Sequence, residues 1–307
     1  MSKIWLTVDG GGTKTEFCAC NEAGTVVFNE LFGNANYKAS SREDVLKNLE
    51  EGFSALTAAT GKTPAEIEGM VVGLSGCDSE ADRRIYLELL RSLGTELSRV
   101  YLCNDTELIF RALSDRDGIC AVAGTGSIAC SYGRNGPVGR IGGWGAPLSD
   151  LGSGYWVGAK ALSDHIRVLD GELTIESALT DILRSRISGE NGDVQSRIAV
   201  LSVQEVAALA KDIFDLAEQG DRYCKEIMDA SAAHLARLIV RLAEKSGFAG
   251  EITVVASGGM FRNDMYFASV REKVLTQLGS CSVRFLRPSA SPAIDGLTFA
   301  RQYFSGI

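Results

Sequence analysis

The sequence lacks both a long apolar run and an excess of positive charge. No stretch of its 307 residues approaches the roughly 18 uninterrupted apolar residues of a membrane span, so no spanning segment is expected. Its 31 Lys and Arg residues face 39 Asp and Glu residues, giving a net charge of −8, which argues against a nucleic-acid or anionic-membrane partner. The apolar run in the opening MSKIWLTVDGGG is too short for a secretory leader.

The cysteines and histidines argue against a cysteine-based zinc or redox site and against a histidine general base. The eight cysteines show no CxxC spacing, so no zinc or redox motif is readable, and buried reduced thiols in a cytoplasmic protein are favoured. The only two histidines, His165 and His234, fall in predicted helices. A general base in this chain is therefore expected to be a carboxylate.

Two glycine-rich turns stand out, each between two runs that predict strands. The first is DGGGTKTEFCAC at 9–20 and the second is AGTGSIACSYG at 123–133. Such turns expose several backbone N–H groups and let the main chain approach an anion. The pair predicts two phosphate-binding loops that face each other across a cleft and hold the two ends of a nucleotide polyphosphate. The alternative is that each turn is an ordinary tight hairpin.

Neither turn matches the common nucleotide motifs. A Walker A loop needs a Gly-Lys-Ser or Gly-Lys-Thr ending that begins a helix, whereas the segment after Gly12 predicts a strand, which also excludes the dinucleotide-binding fingerprint. Asp9 ends the first strand beside the expected phosphate site. Because a carboxylate there repels phosphate unless a divalent cation lies between them, we predict that Asp9 organises Mg²⁺ through water.

The order of predicted elements is repeated along the chain. Three-strand openings are predicted in each half, at about 3–9, 14–20 and 25–32, and at about 118–123, 127–132 and 136–141. Helices and further strands complete each half. This doubling predicts an α/β protein of two related domains, residues 1–116 with 291–307 and residues 117–290, in which the final helix crosses back onto the first half.

The segment CNDTELIF at 103–110 contains the main candidate for catalysis. Asn104 and Asp105 follow a predicted strand, at the sheet edge that borders the ligand crevice in α/β proteins. Asp105 is either only the N-cap of the next helix or a general base that accepts a proton from a substrate hydroxyl during phosphoryl transfer.

Three other segments place polar groups or glycines after strands. VVGLSGCDSEADRR at 71–84 ends a strand at Ser75 and Gly76, and Asp78 or Ser79 is interpreted as a helix cap. IGGWGAPLSDLGSGYWVG at 141–158 sets Trp144 and Asp150 among six glycines, which suits a sugar ring, although Trp144 is alternatively a core anchor. ASGGMFRND at 256–264 is a turn that either admits adenine against bare backbone or only packs tightly.

In this order, DGGGTKT, GLSGCD, NDTE, AGTGS, GGWG with SDLGSGYW, and ASGGMFRN resemble the motif series of the N-acetylglucosamine kinase branch of the BadF/BadG-type ATPase family, within the sugar kinase, Hsp70 and actin superfamily. The resemblance covers essentially the whole chain. It implies an α/β actin-like ATPase fold of two ribonuclease-H-like domains, with ATP and Mg²⁺ in the cleft between them and a hexosamine next to the γ-phosphate.

The resemblance also implies roles for particular residues. Asp105 falls on the catalytic aspartate, and Gly258 and Gly259 fall on the adenosine turn. The phosphate loops correspond to Asp9, Gly11, Gly12 and Thr13, and to Gly124, Thr125 and Gly126. The sugar-pocket positions are Asn36, Ser75, Gly76, Asn104, Trp144, Gly145 and Asp150. One position departs from the family pattern: Leu151 stands where an acid is usual, on the sugar side, which leaves the identity of the amino sugar open.

The sequence is consistent with three functional hypotheses. The first is an ATP-dependent hexosamine kinase with Asp105 as the base. The second is the ATPase activator of a 2-hydroxyacyl-CoA dehydratase or benzoyl-CoA reductase system, which needs cysteines from two subunits to hold an iron–sulfur cluster; no glycine-flanked cluster motif is present. The third is a sugar or nucleotide sensor without turnover. Dimers are common in the resembling family, and the sequence does not give the oligomeric state.

Overall fold

The computed structural model describes residues 3–134, 136–188, 193–279 and 281–305. The chain divides into two compact units, Met1–Asp115 with Pro288–Ile307, and Arg116–Arg287. Among the helices described, none is both long enough and apolar enough to span a membrane.

The first unit is a five-stranded sheet with helices on both faces. Its elements are β1 (Ile4–Gly10), β2 (Thr15–Asn21), β3 (Val26–Phe32), α1 (Arg42–Thr60), β4 (Gly69–Leu74), α2 (Glu80–Ser92), β5 (Val100–Cys103), α3 (Asp105–Arg111) and α10 (Pro292–Ser305). The strand order is β3-β2-β1-β4-β5. β2 pairs antiparallel with both β1 and β3, whereas β4 runs parallel to β1 and β5 runs parallel to β4.

The central strand β4 is apolar along its whole length because both faces of the sheet are covered. Every residue of β4 is buried, as expected for a parallel strand between two helical layers. Leu49 and Phe53 of α1 pack on one face with Tyr86 of α2. Leu297 of α10 packs on the other face with Trp5.

The second unit repeats the pattern with a larger set of helices. Its elements are β6 (Gly118–Ala123), β7 (Ser127–Gly133), β8 (Gly136–Gly142), α4 (Gly154–Leu169), α5 (Leu179–Ile187), α6 (Val194–Ala199), α7 (Val203–Glu218), α8 (Arg222–Ser246), β9 (Ile252–Ser257), α9 (Asp264–Leu278) and β10 (Val283–Leu286). The strand order is β10-β9-β6-β7-β8. Thus both sheets place a three-strand antiparallel meander beside two parallel strands.

The six strands of the two predicted three-strand openings are confirmed, with boundaries that differ by at most one residue. Gly220 lies in the connection between α7 and α8. None of the eight cysteines, all of which lie in the described residues, forms a disulfide, and seven of them are buried, as predicted.

Candidate functional site

In the first unit, three neighbouring strands end at one edge of the sheet. Asp9 lies near the end of β1, Ser75 follows β4, and Asp105 follows β5. The strands are parallel, so their carboxyl ends meet at the same edge. The ends of β1 and β4 are held together, because the Ser75 N–H donates to the carbonyl of Gly10 over 2.7 Å.

A hydrogen-bond network links the candidate sugar residues at this edge. The Asn36 side-chain amide donates to the Ser75 hydroxyl over 3.4 Å, and the Asn104 amide donates to Asp78 Oδ1 over 2.9 Å. Lys38 Nζ lies 2.9 Å from Asp78 Oδ2. Gly76 packs directly on the Asn36 side chain. The network therefore brings Asn36, Ser75, Gly76 and Asn104 together, and it adds two residues that sequence reasoning did not assign to the site, Lys38 and Asp78.

The N-caps of α2 and α3 show which residues cap these helices and which remain as site candidates. Asn104 is the N-cap of α3, since its Oδ1 accepts from the Thr106 N–H over 2.9 Å, and Asp105 is the first helical residue. The interpretation of Asp105 as only the N-cap is therefore wrong. Ser79 caps α2, as predicted, whereas Asp78 instead binds Lys38 and Asn104. Asp78 is thus not the N-cap of α2 and belongs to the polar network.

The environment of Asp105 makes its carboxyl a stronger base than an exposed one. Desolvation raises its pKa to about 6, and the negative charge of Asp78 acts in the same direction. Hydrogen bonds from the Thr106 N–H and the Ser75 hydroxyl oppose the rise in pKa, because they stabilise the charged form. The side chain is half-buried and remains ionised above about pH 6.

Asp9 is a second carboxylate with a raised pKa, to about 7. Desolvation is the largest cause, followed by the negative charges of Asp105 and Glu16, while Lys14 lowers the pKa. In the described part of the chain no hydrogen bond to the Asp9 carboxylate is found. A half-buried carboxylate with negative neighbours and no donor is suited to a nearby cation, although no group of three or more His, Cys, Asp or Glu side chains among the described residues is arranged to hold a metal alone.

The raised pKa of Asp9 predicts a pH-dependent gain in stability for Asp9→Asn. From about pH 4 to pH 7 the folded state keeps a proton that the unfolded state has lost, so the wild type loses stability as pH rises. In metal-free buffer at pH 8 the variant should exceed wild type by about 1–2 kcal/mol, a figure reduced for solvent screening, and the gain should shrink towards pH 4.

Urea unfolding at pH 8 and pH 4.5 with a chelator measures this difference. Asp181→Asn, which neutralises an exposed carboxylate on α5, is the control and should show no such trend. Equal stability of Asp9→Asn and wild type at both pH values would contradict the inferred desolvation.

Both glycine turns are hairpin tips. The Gly11 N–H donates to the Lys14 carbonyl over 2.9 Å, and the Gly124 N–H donates to the Gly126 carbonyl over 2.9 Å. Gly12, Thr13 and Thr125 are exposed at the tips. The geometry is compatible with both interpretations, since a tight hairpin can also present N–H groups to an anion.

Asp150 holds the segment after β8 against the second glycine turn. It is buried and has a φ of +57°, and its Oδ1 accepts from the Gly145 N–H over 3.2 Å. A Cβ placed on Gly126 would lie 2.6 Å from Asp150 Oδ2, so the two segments are in contact. Trp144 is 79% exposed with the Arg140 guanidinium 4.5 Å from its ring centre, which makes the core-anchor alternative wrong.

A cavity of about 630 Å³ in the second unit connects the glycine turn with the turn after β9. Gly124, Thr125, Gly154 and Gly259 line it together with α7, and Phe214 and Met260 supply apolar wall. Gly258 has a φ of +102° and packs on the backbone of Ala123 at the end of β6. Gly124, Thr125 and Gly259, three of the five residues predicted for phosphate and adenosine contact in this unit, therefore line one space of a size suited to a small ligand.

Residues 6–293 match the sequence pattern of the BadF/BadG/BcrA/BcrD ATPase family. The chain belongs to this family.

Two curated relatives resemble this ATPase-family chain over most of their length. An N-acetylmuramic acid/N-acetylglucosamine kinase of Clostridium acetobutylicum is 28% identical over 97% of the chain and 98% of the relative. An N-acetyl-D-glucosamine kinase of Dictyostelium discoideum is 27% identical over 84% of the chain and 86% of the relative.

A solved structure shows the fold of this ATPase-family member. A protein from Chromobacterium violaceum, whose name assigns it to the N-acetylglucosamine kinases, superposes with a TM-score of 0.69 at 23% identity, covering 97% of this chain and 99% of that one. The fold is the α/β two-domain actin-like ATPase fold, as the motif resemblance implied.

Proposed function

We propose that this chain is an ATP-dependent amino-sugar kinase that phosphorylates a hydroxyl of N-acetylglucosamine or a related hexosamine. The named activities of the two curated relatives support this assignment. The observation that carries the proposal is the placement of Asp105, a half-buried carboxylate with a raised pKa, at the edge where Asn36, Ser75 and Asn104 also lie.

Asp105 is the proposed general base. Its carboxylate accepts the proton of the sugar hydroxyl while the hydroxyl oxygen forms a bond to the γ-phosphorus. The bond from that phosphorus to the β–γ bridging oxygen breaks, and ADP leaves with the electron pair. A pKa of about 6 keeps Asp105 ionised at neutral pH and makes it a better proton acceptor than an unperturbed aspartate.

The other proposed roles follow the residues' positions. The two turns are the proposed phosphate sites, the first through Gly11, Gly12 and Thr13 and the second through Gly124, Thr125 and Gly126. Backbone N–H groups at the tips stabilise phosphate charge. The N–H groups of Gly11 and Gly124 already donate within the hairpins, so these two glycines contribute by shaping the turns. Gly258 and Gly259 contact adenosine. The proposed sugar contacts are Asn36, Ser75, Gly76, Asn104, Trp144, Gly145 and Asp150.

Mg²⁺ is the proposed metal, and Asp9 is its proposed protein contact, through water. Mg²⁺ keeps several waters and takes one or two carboxylates together with substrate phosphates, which matches a lone carboxylate without a protein donor. When bound, the ion supplies positive charge against the phosphates of ATP. Its positive charge would favour the ionised form of Asp9, which would then hold the ion at the end of β1 through water.

Two further parts of the proposal concern organisation and location. We take residues 1–116 with 291–307 and residues 117–290 as the two ribonuclease-H-like domains. We also place the enzyme in the cytoplasm, where thiols stay reduced; the support is that none of the eight cysteines, all in the described residues, forms a disulfide.

A panel of acceptors tests the function directly. Purified protein with ATP and Mg²⁺ should release ADP in proportion to sugar phosphate formed when an amino sugar is present. The panel contains glucosamine, N-acetylglucosamine, N-acetylmannosamine, N-acetylmuramic acid and glucose, with mass spectrometry of the product. ADP release that does not depend on any sugar would overturn the proposal, and a brown, iron-containing preparation would favour the dehydratase activator instead.

A further inference from the structure

The cavity of the second unit follows the length of helix α7. At one end, Gly154 packs between the carbonyl of Gly124 and the carbonyl of Ala207, which places the first half of α7 beside the glycine turn. At the other end the lining reaches Glu218, the last residue of α7. Eleven residues separate Ala207 from Glu218, about 16 Å at 1.5 Å per residue, so the cavity has a phosphate end and a distant end.

The distant end carries a fixed pair of polar side chains. Asn263 is the N-cap of α9, because its Oδ1 accepts from the Tyr266 N–H over 2.9 Å. Its Nδ2 donates to Glu218 Oε1 over 2.7 Å. Both ends of the amide are therefore engaged, and the amide holds the Glu218 carboxylate at the rim of the cavity.

Glu218 keeps accepting capacity after this contact. Lys211, which also lines the cavity, is 2.7 Å from Asp215 Oδ2, so its charge is directed to a different carboxylate. In the described part of the chain Asn263 is the partner found for Glu218, through one oxygen. A carboxylate accepts hydrogen bonds and donates none when ionised, so the second oxygen is suited to an N–H group of a ligand.

We propose that Glu218, held in place by Asn263, is the residue by which the cavity recognises the exocyclic amino group of adenine. The inference rests on the proposed function, which places phosphates at Gly124 and Thr125 and so puts the base at the far end of α7. The apolar side chains of Phe214 and Met260 supply the wall against a flat ring. A base without an amino group leaves the Glu218 oxygen without that donor and binds more weakly.

The test compares two nucleotides that differ only in this group. Dissociation constants of ADP and of purine riboside 5′-diphosphate, which lacks the amino group, are measured by calorimetry for wild type and variants. Wild type should bind ADP about tenfold more tightly. In Glu218→Ala the ratio should fall to about one or two, because the partner of the amino group is gone. Both residues lie at helix ends and Glu218 is exposed, so the variant should fold.

Two more variants separate recognition from structure. Asn263→Ser keeps an N-cap for α9 but removes the amide donor, so it should lower the ratio to an intermediate value. Glu226→Ala removes an exposed carboxylate of α8 that lines a different cavity and should leave the ratio at about tenfold.

The possible results separate this inference from the kinase proposal. Equal binding of the two nucleotides by wild type, an unchanged ratio in Glu218→Ala, or no nucleotide binding at all would overturn the role of Glu218. The binding ratio does not depend on turnover. If no sugar is phosphorylated while Glu218→Ala lowers the ratio of the two dissociation constants, the kinase proposal fails and the proposed contact between Glu218 and adenine stands.

Discussion

Asp105→Asn is expected to reduce sugar-dependent ADP release by about a thousandfold, within the 10²–10⁴ range of general base catalysis. In the wild type, Asp105 Oδ1 accepts a hydrogen bond from the Thr106 N–H over 2.9 Å. Asparagine has nearly the same shape, and its side-chain oxygen can still accept this hydrogen bond. It cannot accept the hydroxyl proton. ATP affinity should stay within about twofold, because Asp105 lies at the edge of the first sheet and outside the lining of the second-unit cavity, where we propose that the nucleotide binds.

The pH profile of the wild type gives an independent check on the same residue. The rate should fall as pH drops through about 6, where Asp105 takes up a proton and loses its ability to act as a base. Asp115→Asn, an exposed aspartate beyond α3, is the matched control and should keep full turnover. Undiminished turnover by Asp105→Asn would disprove the assignment of the base.

The strands and their order were accessible from the sequence because local patterns determine them. Apolar β-branched runs separated by glycine turns predicted both meanders, and the position of Asp105 after β5 followed from one strand ending. The choice between Asn104 and Asp105 as N-cap was not accessible, since both residue types favour that position and the backbone decides. The exposure of Trp144 was equally undecided by composition.

The polar networks could not be predicted because their partners are distant in sequence. Lys38 meets Asp78 across 40 positions, Asn104 meets Asp78 across 26, and Asn263 meets Glu218 across 45. No periodicity links such pairs; the sheet order and the helix packing bring them together. The motif resemblance located the segments, whereas the side chains that tune them became visible only in the folded chain.

Gly158→Ala is expected to destabilise the second unit by about 2–3 kcal/mol, despite the better helix propensity of alanine. Gly158 lies inside α4, where glycine costs about 1 kcal/mol relative to alanine. A Cβ at this position would lie 1.9 Å from the carbonyl oxygen of Val206 and 2.8 Å from its carbon. The neighbour is the backbone of α7, so no side-chain rotation relieves the clash and the two helices must separate.

This separation should also weaken nucleotide binding, because α7 lines the cavity along its length. Gly154 and Gly158 are four residues apart on one face of α4, and both lie against backbone carbonyls of α7. A melting temperature lower by about 5–10 °C is expected for a unit of this size. ADP affinity should fall as well. Both are measured on the same preparation by calorimetry.

The control is Gly139→Ala on β8, where the nearest atom to a new Cβ is 3.5 Å away, an ordinary contact. It should change stability by less than about 0.5 kcal/mol and leave ADP binding unchanged. Wild-type stability and ADP affinity in Gly158→Ala would mean that α4 and α7 are not in backbone contact. The cavity would then need a different wall, and the placement of the phosphate end beside Ala207 would fall with it.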